Sequence, residues 1–377
     1  MIREIFNKNA DRYISDYKPP KEHIKVIRSI KHCQSGAYGR HMLSCPDCGK
    51  FIVLNNSCRN RHCPVCQHKA REKWLTNRKK ELLEVPYFHL VFTLPHVLNN
   101  LAYANKKTVY NTLFKSAIKT IDTFSKDPKW LGTQTGGVAI LHTWGQNLSF
   151  HPHVHVIIPA GGLIRDTGEW MKTHPKFFAP VKALSVVFKQ IFIEMLTKAL
   201  KKEGVSLNPG LITSAQAKKW VVFAQKPFKK PEQIIDYLGN YTHRVAISNY
   251  RIIKVENKKV YFWYKDYRSL SERKVMCLTE IEFIRRFLQH VLPDNFYKIR
   301  HFGFMSNRYR KENIELAKQS IKESRGKENT NNEFTCELEE FIKKITSNPY
   351  PCPCCGGKMI CSQLDEHTFG NLQVPDT

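Results

Sequence analysis

Long apolar runs are missing from this sequence. No stretch stays apolar for the roughly 18 residues that a membrane-spanning helix needs. Residues 1–7 show no basic segment followed by an apolar one, so no secretory signal is visible. Hydrophobic residues make up 42% and aromatic residues 11%, which excludes global disorder. We therefore expect a soluble, globular, cytoplasmic protein with no membrane partner.

Acidic residues are also scarce. Lys and Arg together number 60 against 33 Asp and Glu, which gives a formal net charge of +27. Such an excess attracts polyanions, and nucleic acid is the obvious one. Ribosome-associated and membrane-surface proteins are basic too, and an AT-rich genome inflates lysine. Charge favours a nucleic-acid partner, but motifs must decide.

No internal repeat and no glycine-rich phosphate loop within a βαβ unit can be found. Instead, aromatic and β-branched runs alternate with segments of helical periodicity. The middle of the chain is therefore predicted to be an α+β domain with an antiparallel sheet. Strands are predicted at residues 87–95, 137–144, 152–159 and 220–224, a hairpin at 251–264, helices at 99–125, 183–202 and 231–242, and an aperiodic linker at 320–333.

The 12 cysteines lie mostly at the two ends of the chain, between Cys33 and Cys66 and between Cys352 and Cys361. A reducing compartment and local clustering favour metal binding over disulfides. The predicted organisation is a zinc-binding DNA-recognition domain, a catalytic domain, a charged linker with a short helix, and a cysteine-rich tail. Their bounds are residues 1–78, 79–312, 313–347 and 348–377.

Two C-P-x-C knuckles in the first cluster predict a structural zinc site. Four thiolates from two such knuckles can surround one zinc ion, so we assign Cys45, Cys48, Cys63 and Cys66 to it. Unliganded cysteines are the alternative. A second zinc ion remains open, with the candidate ligands Cys33, His41, Cys58 and His62. Arg59 and Arg61, next to the second knuckle, are predicted to contact DNA, although a solvated basic loop would look the same.

A row of histidines marks the strand at residues 152–159. Side chains alternate between the two faces of a strand, so His151, His153 and His155 share one face while Val154 and Val156 enter the core. Two imidazoles so placed can bind one divalent ion. On the helix at 231–242, Tyr237 and Tyr241 lie one turn apart on one face. Either pattern alone is weak, because histidines and tyrosines also pack in cores.

Several motifs, in order, resemble the rolling-circle insertion-sequence transposases of family ninety-one. NSCRNRHCPVCQ at 56–67 resembles their zinc signature, and LHTWGQ at 141–146 with HPHVH at 151–155 resembles their HUH segment, named for two histidines around a hydrophobic residue. The tail PCPCCGG at 351–357 is similar to half of a zinc knuckle whose other half is not evident. Further matches are YLGNYTHRVAIS at 237–248, YKDY at 264–267, EFIRRFL at 282–288 and IRHFGF at 299–304.

The resemblance implies an antiparallel-sheet HUH nuclease domain preceded by a small zinc-binding domain, in a bacterial-type, nucleoid-associated protein. Its partners would be single-stranded DNA and element-end DNA, and a homo-oligomer stays open. Tyr237 and Tyr241 would be nucleophiles that form a 5′-phosphotyrosine. His153 and His155 would hold Mg²⁺ or Mn²⁺, and we favour Gln146 over His142 as third ligand. Further DNA contacts are assigned to Arg285, Arg286 and Arg300.

Two other functions use the same features. A plasmid replication initiator or relaxase has the same tyrosine chemistry on a different DNA origin, although the zinc signature favours the transposase. A non-catalytic zinc-finger DNA-binding regulator would keep the basic charge and the zinc while lacking cleavage. Nicking of single-stranded oligonucleotides that depends on a divalent ion would separate the enzymes from the regulator.

Overall fold

The computed structural model describes residues 1–174, 178–225, 227–228, 234, 239, 245–266, 272–325 and 351–363. Among them, no helix is long and apolar enough to cross a membrane. The helices are α1 (Ile2–Tyr17), α2 (Lys21–His32), α3 (Pro64–Lys79), α4 (Asn99–Ala104), α5 (Lys106–Lys126), α6 (Val181–Lys202), α7 (Pro209–Ala217), α8 (Glu280–Leu288) and α9 (Arg310–Arg325). Short 3-10 helices occupy His96–Leu98 and Asn249–Arg251.

The strands form antiparallel sheets throughout the described ranges. They are β1 (Arg40–Ser44), β2 (Phe51–Asn55), β3 (Tyr87–Thr93), β4 (Gly136–Trp144), β5 (Phe150–Pro159), β6 (Gly161–Leu163), β7 (Trp170–Lys172), β8 (Val221–Ala224), β9 (Ile252–Glu256), β10 (Lys259–Asp266), β11 (Glu272–Thr279), β12 (Ile299–Gly303) and β13 (Ile360–Gln363). The predicted α+β class with antiparallel sheets is confirmed.

The central sheet has five strands in the order β12-β4-β5-β3-β8. Helices α5 and α6 cover one face, where Val154, Val156 and Ile158 of β5 pack against Phe188 and Phe192 of α6. The alternation predicted for β5 is therefore confirmed. It leaves the odd-numbered side chains of β5, including its histidines, on the other face of the sheet.

Helix α9 packs beneath that other face, and one prediction fails there. Ile314, Ala317 and Ile321 are buried in a cluster with Ile140 and Ile157 of the central sheet. The aperiodic linker was predicted to start at residue 320, but the helix continues to Arg325 because this apolar stripe anchors it. The helix also crosses the boundary predicted between residues 312 and 313.

A second sheet, in the order β11-β10-β9, packs against the amino-terminal helices. Its hairpin turns at Asn257 and Lys258, both with positive φ of 50° and 58°, as the two-residue turn of a twisted hairpin requires. Phe6 of α1 lies 5.3 Å, ring to ring, from Phe287 of α8. Ile2, Ile27 and Phe262 belong to the same buried cluster. The hydrophobic core thus does not divide at residue 78.

The third sheet joins the two ends of the chain. Strand β1 pairs with β2 on one side and with β13 on the other, in the order β13-β1-β2. A small separate pair is formed by β6 and β7. The predicted helix at residues 99–125 is in fact two helices, because the backbone bends at Asn105, with φ −122° and ψ 47°.

Candidate functional site

Three histidines converge on the face of the central sheet opposite α5 and α6. The register of β4 and β5 pairs His142 with His153, and that of β3 and β5 pairs Val91 with His155. One ring nitrogen from each of His142, His153 and His155 lies within 4.8 Å of the others. This group, here called the three-histidine site, is held on rigid neighbouring strands.

Hydrogen bonds orient the imidazoles of the three-histidine site. His153 Nδ1 donates to the carbonyl oxygen of His151 at 2.7 Å, which leaves Nε2 as the lone-pair nitrogen. His155 Nδ1 lies 2.9 Å from His89 Nε2, and His89 Nδ1 lies 3.2 Å from Gln225 Oε1. Since a carbonyl oxygen only accepts, His89 donates from Nδ1 and accepts from His155 at Nε2. Burial lowers the pKa of His89 to about 4, which keeps this ring neutral.

The donor set fits a divalent transition ion. Neutral imidazoles with one nitrogen fixed by a hydrogen bond present the other as a ligand. Among the described His, Cys, Asp and Glu side chains, no carboxylate joins the group. Magnesium prefers oxygen ligands, so these residues suit Mn²⁺ better than Mg²⁺.

The third imidazole comes from His142, which the sequence analysis ranked below Gln146. The strand register sets His142 directly across from His153, which favours His142 as the third ligand, while ligation by the Gln146 side chain stays a prediction. Gln146 follows β4, in the turn before β5, and its backbone carbonyl oxygen accepts a hydrogen bond from the buried Arg251. Arg251 thereby ties this turn to the second sheet.

The first cysteine cluster differs from the predicted one. Cys33, Cys58, Cys63 and Cys66 gather with their sulfurs within 4.8 Å of one another. Cys33 Sγ lies 3.7 Å from Cys66 Sγ, and Cys58 Sγ lies 3.5 Å from it. Four sulfurs about 2.3 Å from a tetrahedral zinc ion would stand about 3.8 Å apart, so the set fits zinc. The hydrogen bond from Cys58 is the largest cause that lowers the pKa of Cys63 to about 5, while burial opposes it.

The predicted pairing of the Cys45–Cys48 knuckle with the Cys63–Cys66 knuckle is wrong. Cys45 and Cys48 do not join Cys63 and Cys66 but group with Cys352 and Cys355 of the tail. The two knuckles are close in sequence, yet β1 and β2 carry the first of them toward β13.

The two candidate histidine ligands lie outside both cysteine clusters. His41 Nδ1 is 2.7 Å from Asn56 Oδ1. His62 Nε2 accepts from the backbone N–H of Leu292 at 3.4 Å. Each imidazole thus has a protein partner, and neither four-cysteine group includes a histidine, so a mixed cysteine–histidine zinc site is not favoured.

The arginines predicted to contact DNA differ in exposure. Arg59 is exposed, in a loop where its φ is 53°. The guanidinium of Arg61 instead donates to the carbonyl oxygens of Leu292, Pro293 and Phe296. It therefore clamps the knuckle loop onto the segment after α8, and a DNA-contacting role for Arg61 is not favoured.

The other three arginines also have protein partners. Arg285 Nε and Arg286 Nε each lie 2.6 Å from a carboxylate oxygen of Glu282. Arg300 donates to Asn111 Oδ1, and its guanidinium carbon lies 4.1 Å from the centre of the Phe114 ring. Arg285 keeps 43% of its side chain exposed, more than Arg286 at 26%. Of the two arginines that pair with Glu282, Arg285 has more surface left for a phosphate.

Tyr237 and Tyr241 lie outside the described residues. Gly239, between them in sequence, has helical backbone conformation. A Cβ on it would stand 2.7 Å from Leu75 Cδ1 of α3. The spacing of the tyrosines remains a sequence-based prediction.

Sequence reasoning missed two contributors to these sites. His89 falls within the predicted strand at 87–95, at a position that alternates with the core residues Phe88 and Leu90. That alternation alone places it on the histidine face. The knuckle of the tail repeats the C-P-x-C-G pattern of residues 45–49, which signals a matching half.

The cysteine clusters define a zinc-binding protein. Its antiparallel sheet carries a separate site, the three-histidine site, whose imidazoles suit a divalent metal ion. Residues 5–94 match the family model described as transposase zinc-binding domain, and residues 136–313 match the one described as putative transposase. The putative transposase y4qJ of Sinorhizobium fredii is 39% identical over 100% of this chain and 98% of its own. The transposase for insertion sequence element IS801 of Pseudomonas savastanoi is 28% identical over 89% of this chain and 82% of its own.

The chain belongs to the IS91 family of insertion-sequence transposases, with an amino-terminal zinc-binding domain. It is therefore a DNA-processing enzyme, and structural zinc is part of its fold. No solved structure matches the chain at a significant level.

Proposed function

We propose that this transposase nicks and rejoins single-stranded DNA at the ends of its insertion sequence, as in rolling-circle transposition. The observation that carries the proposal is the three-histidine site, which places His142, His153 and His155 on adjoining strands of an antiparallel sheet. A chain that only bound DNA would have no need for three convergent imidazoles with oriented ring nitrogens.

In the proposed reaction, the hydroxyl oxygen of Tyr237 or Tyr241 attacks a phosphorus atom. The new bond joins this oxygen to phosphorus, the bond to the 3′ oxygen breaks, and the phenolic proton is lost while the 3′ oxygen gains one. The products are a 5′-phosphotyrosine and a free 3′-hydroxyl. A divalent ion bound by the three-histidine site would polarise the phosphate and offset its developing charge. Rejoining reverses the step with a new 3′-hydroxyl.

The residues of this chain have separate tasks in the proposal. The Nε2 lone pairs of His153 and His155 are available for a metal ion. The ring of His153 is oriented by the backbone carbonyl oxygen of His151, and the ring of His155 by the imidazole of His89. Cys33, Cys58, Cys63 and Cys66 would hold a structural zinc ion, and the exposed Arg59 directly follows Cys58 in the chain. Arg59 and Arg285 supply positive charge for phosphates, which adds affinity without reading sequence.

The test uses phenylalanine, which keeps the aromatic ring and removes only the hydroxyl. We expect Tyr237→Phe/Tyr241→Phe to bind zinc and DNA normally and to form no covalent adduct with a single-stranded element end in Mn²⁺. Mass spectrometry of adducts trapped from the unmodified protein should locate a phosphotyrosyl peptide at residue 237 or 241. An adduct that persists in the double variant, or maps elsewhere, contradicts the proposed nucleophiles.

The same assay separates the alternatives. A non-catalytic regulator would bind the DNA and form no covalent protein–DNA adduct, whichever divalent ion is present. A replication initiator or relaxase would cleave plasmid origins in preference to insertion-sequence ends.

A further inference from the structure

The two ends of the chain meet at a second four-cysteine cluster, which we call the terminal cluster. It consists of Cys45 and Cys48 with Cys352 and Cys355. Cys45 Sγ lies 3.5 Å from Cys355 Sγ, and Cys48 Sγ lies 3.5 Å from Cys352 Sγ. These separations are close to the roughly 3.8 Å expected between thiolates around one tetrahedral zinc ion.

The two halves of the terminal cluster have the same backbone geometry. In the first, the N–H of Cys45 donates to Lys50 O at 2.8 Å and the N–H of Gly49 donates to Cys45 O at 2.9 Å. In the second, the N–H of Cys352 donates to Gly357 O at 2.7 Å and the N–H of Gly356 donates to Cys352 O at 2.9 Å.

A glycine with positive φ closes each of these turns. The φ angle is 72° at Gly49 and 75° at Gly356. Only glycine adopts this conformation without strain, so both turns are built for it. Two knuckles of this geometry that face each other suit a closed, structural site of four thiolates.

Strand pairing holds the two halves in register. Strand β13 lies antiparallel to β1, with Leu43 opposite Cys361 and Ser44 opposite Ile360. Leu43 and Met359 are buried between the knuckles together with Cys45 and Cys352. An apolar cluster this small cannot hold a three-stranded sheet together alone, so a metal ion is the natural source of the missing stability.

We propose that the terminal cluster binds a zinc ion of its own, which fastens the carboxyl-terminal tail into the amino-terminal zinc-binding domain. That domain is then assembled from both ends of the chain and holds two zinc ions. The proposal does not depend on the tyrosine chemistry, since it concerns metal content and not cleavage.

Zinc content of full-length protein tests the proposal. We expect Cys45→Ser/Cys48→Ser and Cys352→Ser/Cys355→Ser each to contain one zinc ion fewer per chain than the parent. The quadruple variant should also lack only one, because the two knuckles share it. The matched control is Cys354→Ser/Cys361→Ser, which changes two exposed cysteines of the tail outside the cluster and should keep the full content.

Two results would overturn it. Either the tail variant retains all the zinc of the parent, or the quadruple variant loses more zinc than either double variant. Adding Cys63→Ser to the tail variant Cys352→Ser/Cys355→Ser should remove one further zinc ion per chain. That result would confirm that the two clusters are separate.

A second measurement needs no substitution. Cys48, Cys354 and Cys355 are all exposed, so solvent access alone predicts similar alkylation by N-ethylmaleimide. Zinc ligation predicts that Cys48 and Cys355 react at least about tenfold more slowly than Cys354, until a chelator removes the metal. Equal rates in zinc-loaded protein, or a disulfide between the knuckles, would contradict the proposal.

Discussion

The role of His142 depends on the strand register, which residue type alone does not reveal. Its position across from His153 makes it the third nitrogen ligand of the proposed site. We expect His142→Ala to slow nicking of a single-stranded element end by more than about a hundredfold, because the remaining pair holds the ion poorly. DNA binding, measured by fluorescence anisotropy, should stay unchanged.

The neighbouring His151→Ala is the control for this variant. The side chain of His151 lies outside the three-histidine site, and its carbonyl oxygen, which accepts from His153, is retained in alanine. Nicking by His151→Ala should therefore stay near the parent rate. A His142→Ala protein that cleaves as fast would show the third ligand to lie elsewhere.

His89 is a positioning residue that acts on the metal site through His155. Because it accepts a hydrogen bond from His155 Nδ1, it fixes which nitrogen of His155 faces the metal. We expect His89→Ala to raise the Mn²⁺ concentration for half-maximal nicking by about 10- to 100-fold, with nearly full activity at saturating Mn²⁺. An unchanged Mn²⁺ requirement would limit His89 to core packing.

At the scale of elements, one loop carries two arginines with opposite roles. Arg61→Ala leaves the carbonyl oxygens of the segment after α8 without their donor, at a cost of about 2–4 kcal/mol in the free energy of unfolding. Arg59→Ala removes an exposed side chain and should leave stability unchanged while weakening DNA affinity. Urea unfolding and anisotropy on both variants check this contrast, which equal losses of stability would contradict.

The sequence predicted those elements whose periodicity is strong. Alternation in β5 and the apolar stripe of α6 were sufficient, and the hairpin of β9 and β10 turns where its sequence indicates. The grouping of cysteines was wrong because two knuckles with 14 residues between them need not be neighbours in space. Distance along the chain carried no information about Cys352 and Cys355, which a strand pairing brings to Cys45 and Cys48.

Over the whole molecule, the zinc-binding segment and the central part of the chain are not independent bodies. Cys33, Cys63 and Cys66 are buried in the same cluster as Phe262 and Phe283 of the second sheet and α8. Loss of zinc from the first cluster is therefore expected to disturb the support of the β4–β5 turn, since Arg251 connects the second sheet to Gln146. We therefore expect loss of this zinc ion to lower activity through the shared core.

Acid should destabilise the whole molecule through its buried histidines, of which His290 is the clearest. Burial, and then the charge of Lys106, lowers the pKa of His290 to about 3. The folded protein keeps this ring neutral, with Nδ1 3.2 Å from Thr143 Oγ1 and Nε2 3.3 Å from Leu148 O. The unfolded chain takes up a proton near pH 6.5, so it binds more protons than the folded chain below that pH.

The stability that neutral His290 provides is thus fully present above about pH 6.5 and is lost as pH falls toward 3, by about 1.4 kcal/mol per pH unit. His290→Gln keeps a hydrogen-bonding side chain and removes the titration. We expect the parent to exceed this variant in free energy of unfolding near pH 7, and the gap to narrow as pH falls below 6.5, in urea titrations followed by circular dichroism. Parallel pH profiles for the parent and His290→Gln would mean that His290 gains its proton in the folded state as readily as in the unfolded chain.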